Sequence, residues 1–197
     1  MNGNAILPKE PTLSEIYAER LARRGIPLES WGADADAIRA AWAAMEATPG
    51  LGLIVGGKFG RGKTTLVHAM IDYPQGNRVQ CFHTSSRAEM QELQDAQECP
   101  PSHLFIDDIW SDSARMDYGT ARDPVGEYLT WWLDKRSWRG WTKRLFLTTN
   151  GTVDDLTTRY GVRLVSRIMD ACWPLTLKER NWRNIRGGTG AWKEFGK

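Results

Sequence analysis

The chain has 197 residues, 41% hydrophobic and 25% charged, with a net charge of +2. These are globular values, enough for one α/β domain with a small appendage, and they permit a local basic patch for nucleic acid without announcing one. No apolar run approaches the ~20 residues of a transmembrane helix. The first residues lack a basic stretch followed by an apolar core, and Cys81, Cys99 and Cys172 form no CxxC pair. The expectation is therefore a reduced, cytoplasmic protein with no membrane role and no zinc site.

In chain order, TLSEIYAERLARRG (12–25) reads as a helix: Thr12 and Glu15 have capping-box spacing, Leu13, Ile16, Tyr17 and Leu21 share a face, and Gly25 ends the run. GIPLESWG (25–32) reads as a linker. The alanine-rich segment 33–50 carries Ile38, Ala41, Trp42 and Met45 on one stripe and predicts a second helix packed on the next domain. From Leu51 the pattern alternates. Apolar runs at 51–57, 77–84, 102–110, 143–150 and 173–177 predict five strands, and the segments at 64–73, 85–96, 126–137, 152–161 and 162–172 predict helices between them. Strand–helix alternation argues for a mostly parallel five-stranded sheet covered on both faces, an α/β fold. The expected organisation is a helical extension over 1–48, a core over 49–186 and a glycine-rich tail over 187–197. Ten tryptophans are expected mainly in core and interfaces.

The run Gly57-Lys58-Phe59-Gly60-Arg61-Gly62-Lys63-Thr64 fits GxxxxGK[ST] without a mismatch. Phosphate oxygens need converging backbone N–H donors, and glycine permits so tight a wrap. The loop follows an apolar strand and opens a helix, whose positive dipole end adds to the site. With Thr65 these residues form the candidate ATP-binding set. Lys63 is assigned to the β- and γ-phosphates and the Thr64 hydroxyl to Mg²⁺. Lys58 and Arg61 are expected to face solvent.

HLFIDDIW (103–110) is an apolar strand running into two acids. A parallel strand next to the phosphate loop would deliver them to the metal. Asp107 is the candidate Mg²⁺ ligand and Asp108 the group that polarises the attacking water, since phosphoryl transfer needs in-line positioning of that water. KRLFLTTN (143–150) ends in Thr148, Thr149 and Asn150. Asn150 is the candidate for orienting the water; as an alternative it caps the following helix. Arg163 and Arg167 lie four apart on one helix face, with Arg159 nearby. They read either as an arginine supplied to a neighbour's γ-phosphate or as a basic face paired with Asp154, Asp155 and Asp170. KRSWRGWTKR (135–144) mixes basic and aromatic residues, as a single-strand groove would, or joins a helix to the next strand.

The order of phosphate loop, Asp-Asp strand, strand ending in Asn, then RYGVRLVSRI and NWR resembles the AAA+ ATPases of the DnaC/DnaI helicase-loader and IstB transposition-helper group, over roughly 51–186. The resemblance implies an ASCE-type P-loop core and a Mg²⁺-dependent ATPase completed across a subunit interface. It implies a homo-oligomer, hexameric or spiral, that grips single-stranded DNA and acts on a replicative helicase or a transposase. It also implies that Arg163 belongs to the family's arginine box, Arg167 is the finger acting in trans, and Arg183 senses nucleotide in cis. The sequence departs from that group in its short N-terminal part, without metal ligands, and in the little room left for a helical lid. It is similar to a trimmed, phage-type version, in which helix 12–25 would serve as the partner-binding element. Three other readings stay open: an IstB-like transposition helper, a small viral superfamily-3-like helicase, and an adaptor that binds nucleotide without hydrolysing it.

Overall fold

The structure, a computed structural model, describes residues 11–71, 79–83, 103–110, 115–117, 120–135 and 143–179. Seven strands are described: β1 (Gly52–Gly56), β2 (Val79–His83), β3 (His103–Ile109), β4 (Arg115–Asp117), β5 (Thr120–Arg122), β6 (Arg144–Thr149) and β7 (Cys172–Thr176). The helices are α1 (Leu13–Arg23), α2 (Asp34–Ala47), α3 (Lys63–Met70), α4 (Pro124–Lys135), α5 (Val153–Tyr160) and α6 (Val162–Ala171), with a 3-10 turn at Leu28–Trp31.

Five strands form one parallel sheet in the order β2-β3-β6-β1-β7. The expected α/β fold with a five-stranded parallel core is therefore present. Neighbouring residues on a strand face opposite ways, and the apolar strands fill two cores accordingly. Leu53, Val55, Phe105 and Phe146 pack on one face with α1, α2 and α3. Ile54, Leu104, Ile106, Leu145 and Leu147 pack on the other with α4, α5 and α6. Strands buried on both faces read as continuous apolar runs, which is why β1, β3 and β6 were recognisable.

The order of strands differs from expectation at one point. The acid-bearing β3 does not lie next to the phosphate-loop strand β1; β6 runs between them. The hairpin of β4 and β5, paired antiparallel from Arg115↔Arg122 to Asp117↔Thr120, was not anticipated either. Helix α4 begins two residues earlier than its apolar pattern suggested. The Asp123 carboxylate accepts from the Gly126 amide at 3.1 Å, and Pro124 supplies the preset φ of a first helical residue. The expected helix at 85–96 lies outside the described residues.

The N-terminal helices share a core with the sheet. The capping box is formed, with Glu15 N–H donating to Thr12 Oγ1 at 3.2 Å and Thr12 N–H to Glu15 Oε2 at 2.7 Å. The apolar face of α1 is spent on this core, since Tyr17 and Leu21 are buried and Tyr17 meets Trp42 edge to face at 5.6 Å. Arg20 and Arg24 donate to the Met70 and His68 carbonyls at the end of α3. The segment read as a linker buries Leu28 and Trp31. Trp31, Trp42 and Trp132 are fully buried, as core tryptophans were expected to be.

Asp34, 6% exposed at the start of α2, accepts from the amides of Lys178 (3.0 and 3.2 Å) and Glu179 (3.0 Å). It fastens the chain just after β7, where Leu177 N–H donates to Gly56 O at the base of the phosphate loop. Asp34→Ala strands two amides, and we expect urea unfolding to show a loss of about 2 kcal/mol, with an unchanged m-value.

Candidate nucleotide site

The phosphate loop leaves β1 at Gly56 and closes at the start of α3. Gly57, Gly60 and Gly62 have φ of 132°, 78° and 86°, the region that residues with a Cβ avoid. A Cβ on Gly57 would also stand 2.5 Å from the Leu177 carbonyl oxygen. Gly62 leads directly into α3 at Lys63, so the amides of the first helical turn lie at the end of the loop. Lys58 is exposed as expected; Arg61, expected in solvent, is half-buried, as is Thr65. Phe59 is 64% exposed, its ring centroid 5.9 Å from Lys63 Nζ.

Lys63 is 7% exposed. Its ammonium donates to Gly57 O at 2.8 Å, Lys58 O at 3.2 Å and Asn150 Oδ1 at 2.6 Å. The cation is thus held at the loop by two loop carbonyls and by the tip of β6. Thr64 Oγ1 donates to the Asp107 carboxylate, 2.9 Å from Oδ1 and 3.2 Å from Oδ2. Asp107, 6% exposed, also accepts from Thr148 Oγ1. A buried carboxylate and two hydroxyls are hard oxygen donors of the kind Mg²⁺ takes, so this donor set fits that ion.

Adjacent strand residues ordinarily point to opposite faces, so both acids of an Asp-Asp pair do not reach one site from a regular strand. The chain resolves this with a bulge. The β3–β6 register runs Ile106↔Leu147 and then Ile109↔Thr149, one residue more on β3 than on β6. Asp108 sits in the bulge with φ 58°, and its N–H donates to Thr148 Oγ1 at 2.7 Å. Turned this way, its carboxylate accepts from Asn150 Nδ2. Asn150 therefore bridges the site, its oxygen on Lys63 and its amide nitrogen on Asp108.

Asn150 does not cap the next helix. Thr152 does, with Asp155 N–H donating to Thr152 Oγ1 at 3.1 Å and Thr152 N–H to Asp155 Oδ2 at 2.8 Å. Thr148 carries more of the geometry than the sequence suggested, since it touches both acids; a hydroxyl one residue before a strand tip was the only signal for it.

Neither arginine of α6 joins this cluster. Arg163 is exposed, and Arg167 donates to Asp134 of α4 at 2.6 Å. Arg159 pairs with Asp123 at 3.6 Å. The aspartates found beside Arg159 and Arg167 are thus Asp123 and Asp134, on α4 and its cap, rather than the nearby Asp154, Asp155 and Asp170. Helix–helix packing of α4 on α6 overrides proximity in sequence. Arg183 and most of the segment 135–144 lie outside the described residues. Arg144, at its end, donates to the Met45 and Leu51 carbonyls at 3.0 and 3.3 Å.

Parallel sheet order, phosphate loop, acid pair and bridging Asn define a P-loop-type α/β fold. No family model matches the chain, and no curated protein matches it in sequence. In structure it is similar to the DnaC helicase loader, at 20% identity over 89% of this chain and 95% of that one, with a TM-score of 0.52. It is also similar to domain III of the Thermotoga maritima replication initiation protein DnaA, at 17% identity over 80% of this chain and 72% of that one, with a TM-score of 0.55. At these identities the likeness is one of fold, and it agrees with the resemblance carried by the motifs. Among the described residues no helix is long and apolar enough to cross a membrane.

Proposed function

We propose that the chain is a DnaC-like AAA+ ATPase of DNA replication that assembles into an oligomer with ATP, holds single-stranded DNA and serves a replicative helicase. The ATPase part of this reading is carried by the Asn150 bridge between Lys63 and Asp108, and the replication part by the likeness in fold to a helicase loader and a replication initiator. It joins the phosphate-binding cation to the acid best placed to handle water, as γ-phosphate hydrolysis requires. The loop amides and Lys63 bind the phosphates. Thr64 and Asp107 would hold Mg²⁺, which would supply charge neutralisation on the phosphate oxygens. Asp108 accepts the proton of the attacking water and Asn150 orients that water.

Arg167 completes the site of the next copy. It exchanges one anionic partner, Asp134, for another, the neighbour's γ-phosphate. Arg163 lies on the same face of α6, one turn earlier, and Arg183 reads the nucleotide within its own chain. The outward residues of α1, Glu15, Glu19, Ala22 and Arg23, are exposed and form the partner-binding face of the extension.

Sedimentation and single-strand binding with and without ATP and Mg²⁺ test the reading. ATP is expected to shift the chain to a larger species and to raise single-strand affinity by about tenfold. If ATP changes neither, the loader reading fails. Preference for duplex DNA would assign the chain to the transposition helpers, and strand separation by the chain alone would assign it to the helicases.

A further inference from the structure

Among the described residues, two non-glycine residues have left-handed backbone, Asp108 at φ 58° and Trp110 at φ 87°. Both belong to the turn that aims the acid pair. Asp enters this region more readily than other residues with a Cβ, but for a Trp it is a true outlier that surrounding structure must impose, and such clusters concentrate at working sites. What imposes it here can be traced bond by bond. Asp108 N–H donates to Thr148 Oγ1, and Thr149 Oγ1 donates to Ile109 O at 3.0 Å. Both restraints come from β6, the neighbouring strand. The third comes from elsewhere in the chain: Trp110 N–H donates to the Tyr160 hydroxyl at 3.1 Å.

Tyr160 is the last residue of α5. Its ring is confined, since a Cβ on Gly126 would stand 3.3 Å from its Cδ1 and the Arg159 guanidinium lies 5.5 Å from its centroid. Its hydroxyl therefore has a set position. On the far side of the turn the Trp110 indole lies against Gly151, where a Cβ would come within 3.0 Å of two ring atoms. Gly151 follows Asn150. The turn is thus clamped between Tyr160 and the residue next to the bridging Asn. Beyond Tyr160 the chain passes through Gly161, with φ 81°, into α6 and its arginines.

We propose that Tyr160 is a positioning residue of the nucleotide site, whose hydroxyl pins the left-handed Asp108–Trp110 turn and so keeps the Asp108 carboxylate on Asn150. This rests on the ATPase reading above.

Tyr160→Phe keeps the ring and removes only the hydroxyl. On the full chain it is expected to lower kcat by about tenfold, with KM and ADP affinity within about twofold of wild type. Trp110→Gly removes the Cβ that makes the turn unfavourable, so in that background Tyr160→Phe should cost less than about twofold. Wild-type kcat in Tyr160→Phe, or an equal loss in both backgrounds, overturns the proposal. If the wild-type chain binds ADP but does not turn over ATP, the hydrolysis reading falls while the pin is still decided by amide hydrogen exchange. Exchange also decides if Trp110→Gly alone is inactive. The Trp110 amide should exchange about tenfold faster in Tyr160→Phe with α5 unchanged; an unaltered Trp110 rate overturns the pin.

Discussion

Lys63→Ala is expected to weaken ATP binding by about two powers of ten, or about 3 kcal/mol, while leaving the fold intact. The ammonium is almost fully buried and already held by three oxygen acceptors. Its position at the loop is therefore prearranged, and binding phosphate exchanges one of these three acceptors for a phosphate oxygen. Alanine removes the charge and also leaves Asn150 Oδ1 without this donor, so turnover should fall with affinity. Titration with a fluorescent ATP analogue measures the loss, and far-ultraviolet circular dichroism checks the fold. Normal affinity in Lys63→Ala would place the nucleotide elsewhere.

Asp108→Asn is expected to act on the other side of the Asn150 bridge. An amide has the shape of a carboxylate, and its oxygen still accepts from Asn150 Nδ2, so the left-handed turn should persist. What it cannot do is take a proton. Loss of a positioned general base lowers turnover by about 10² to 10⁴, whereas ATP affinity should stay within about twofold of wild type. Steady-state turnover together with analogue titration separates the two effects. Intact hydrolysis in Asp108→Asn would transfer the base to another group; absent hydrolysis in the wild-type chain would favour the adaptor reading.

The legible part of this molecule is the part whose chemistry is local. The phosphate loop is eight consecutive residues, and its glycines follow from backbone geometry alone. The Asp-Asp end of β3 and the Asn end of β6 are visible because a buried parallel strand is a continuous apolar run that stops at polar residues. Strand order is not local, and so the placement of β6 between β1 and β3 could not be read from either strand. The alternative role for Asn150 could have been settled, since Thr152 and Asp155 have capping-box spacing.

Trp110 and Tyr160 are of another kind. A left-handed tryptophan carries no mark in sequence, and a tyrosine fifty residues away becomes its partner only through the packing of α5 against the sheet. The partners of Arg159 and Arg167 are set in the same way, by α4. Surface charge pairs that depend on helix packing are the least legible feature of such a fold.

The central claim is a site made of two halves, with Asp108 supplied by one copy and Arg167 by the next. Its most direct test is to assay ATP turnover of Arg167→Ala and Asp108→Asn, each alone and mixed in equal amounts. Each variant alone should be nearly inactive. In a mixed assembly roughly a quarter of the interfaces pair an intact acid with an intact arginine, so turnover should return to about that fraction of wild type. A mixture as inactive as its components, or an Arg167→Ala protein with full turnover, would contradict the shared site.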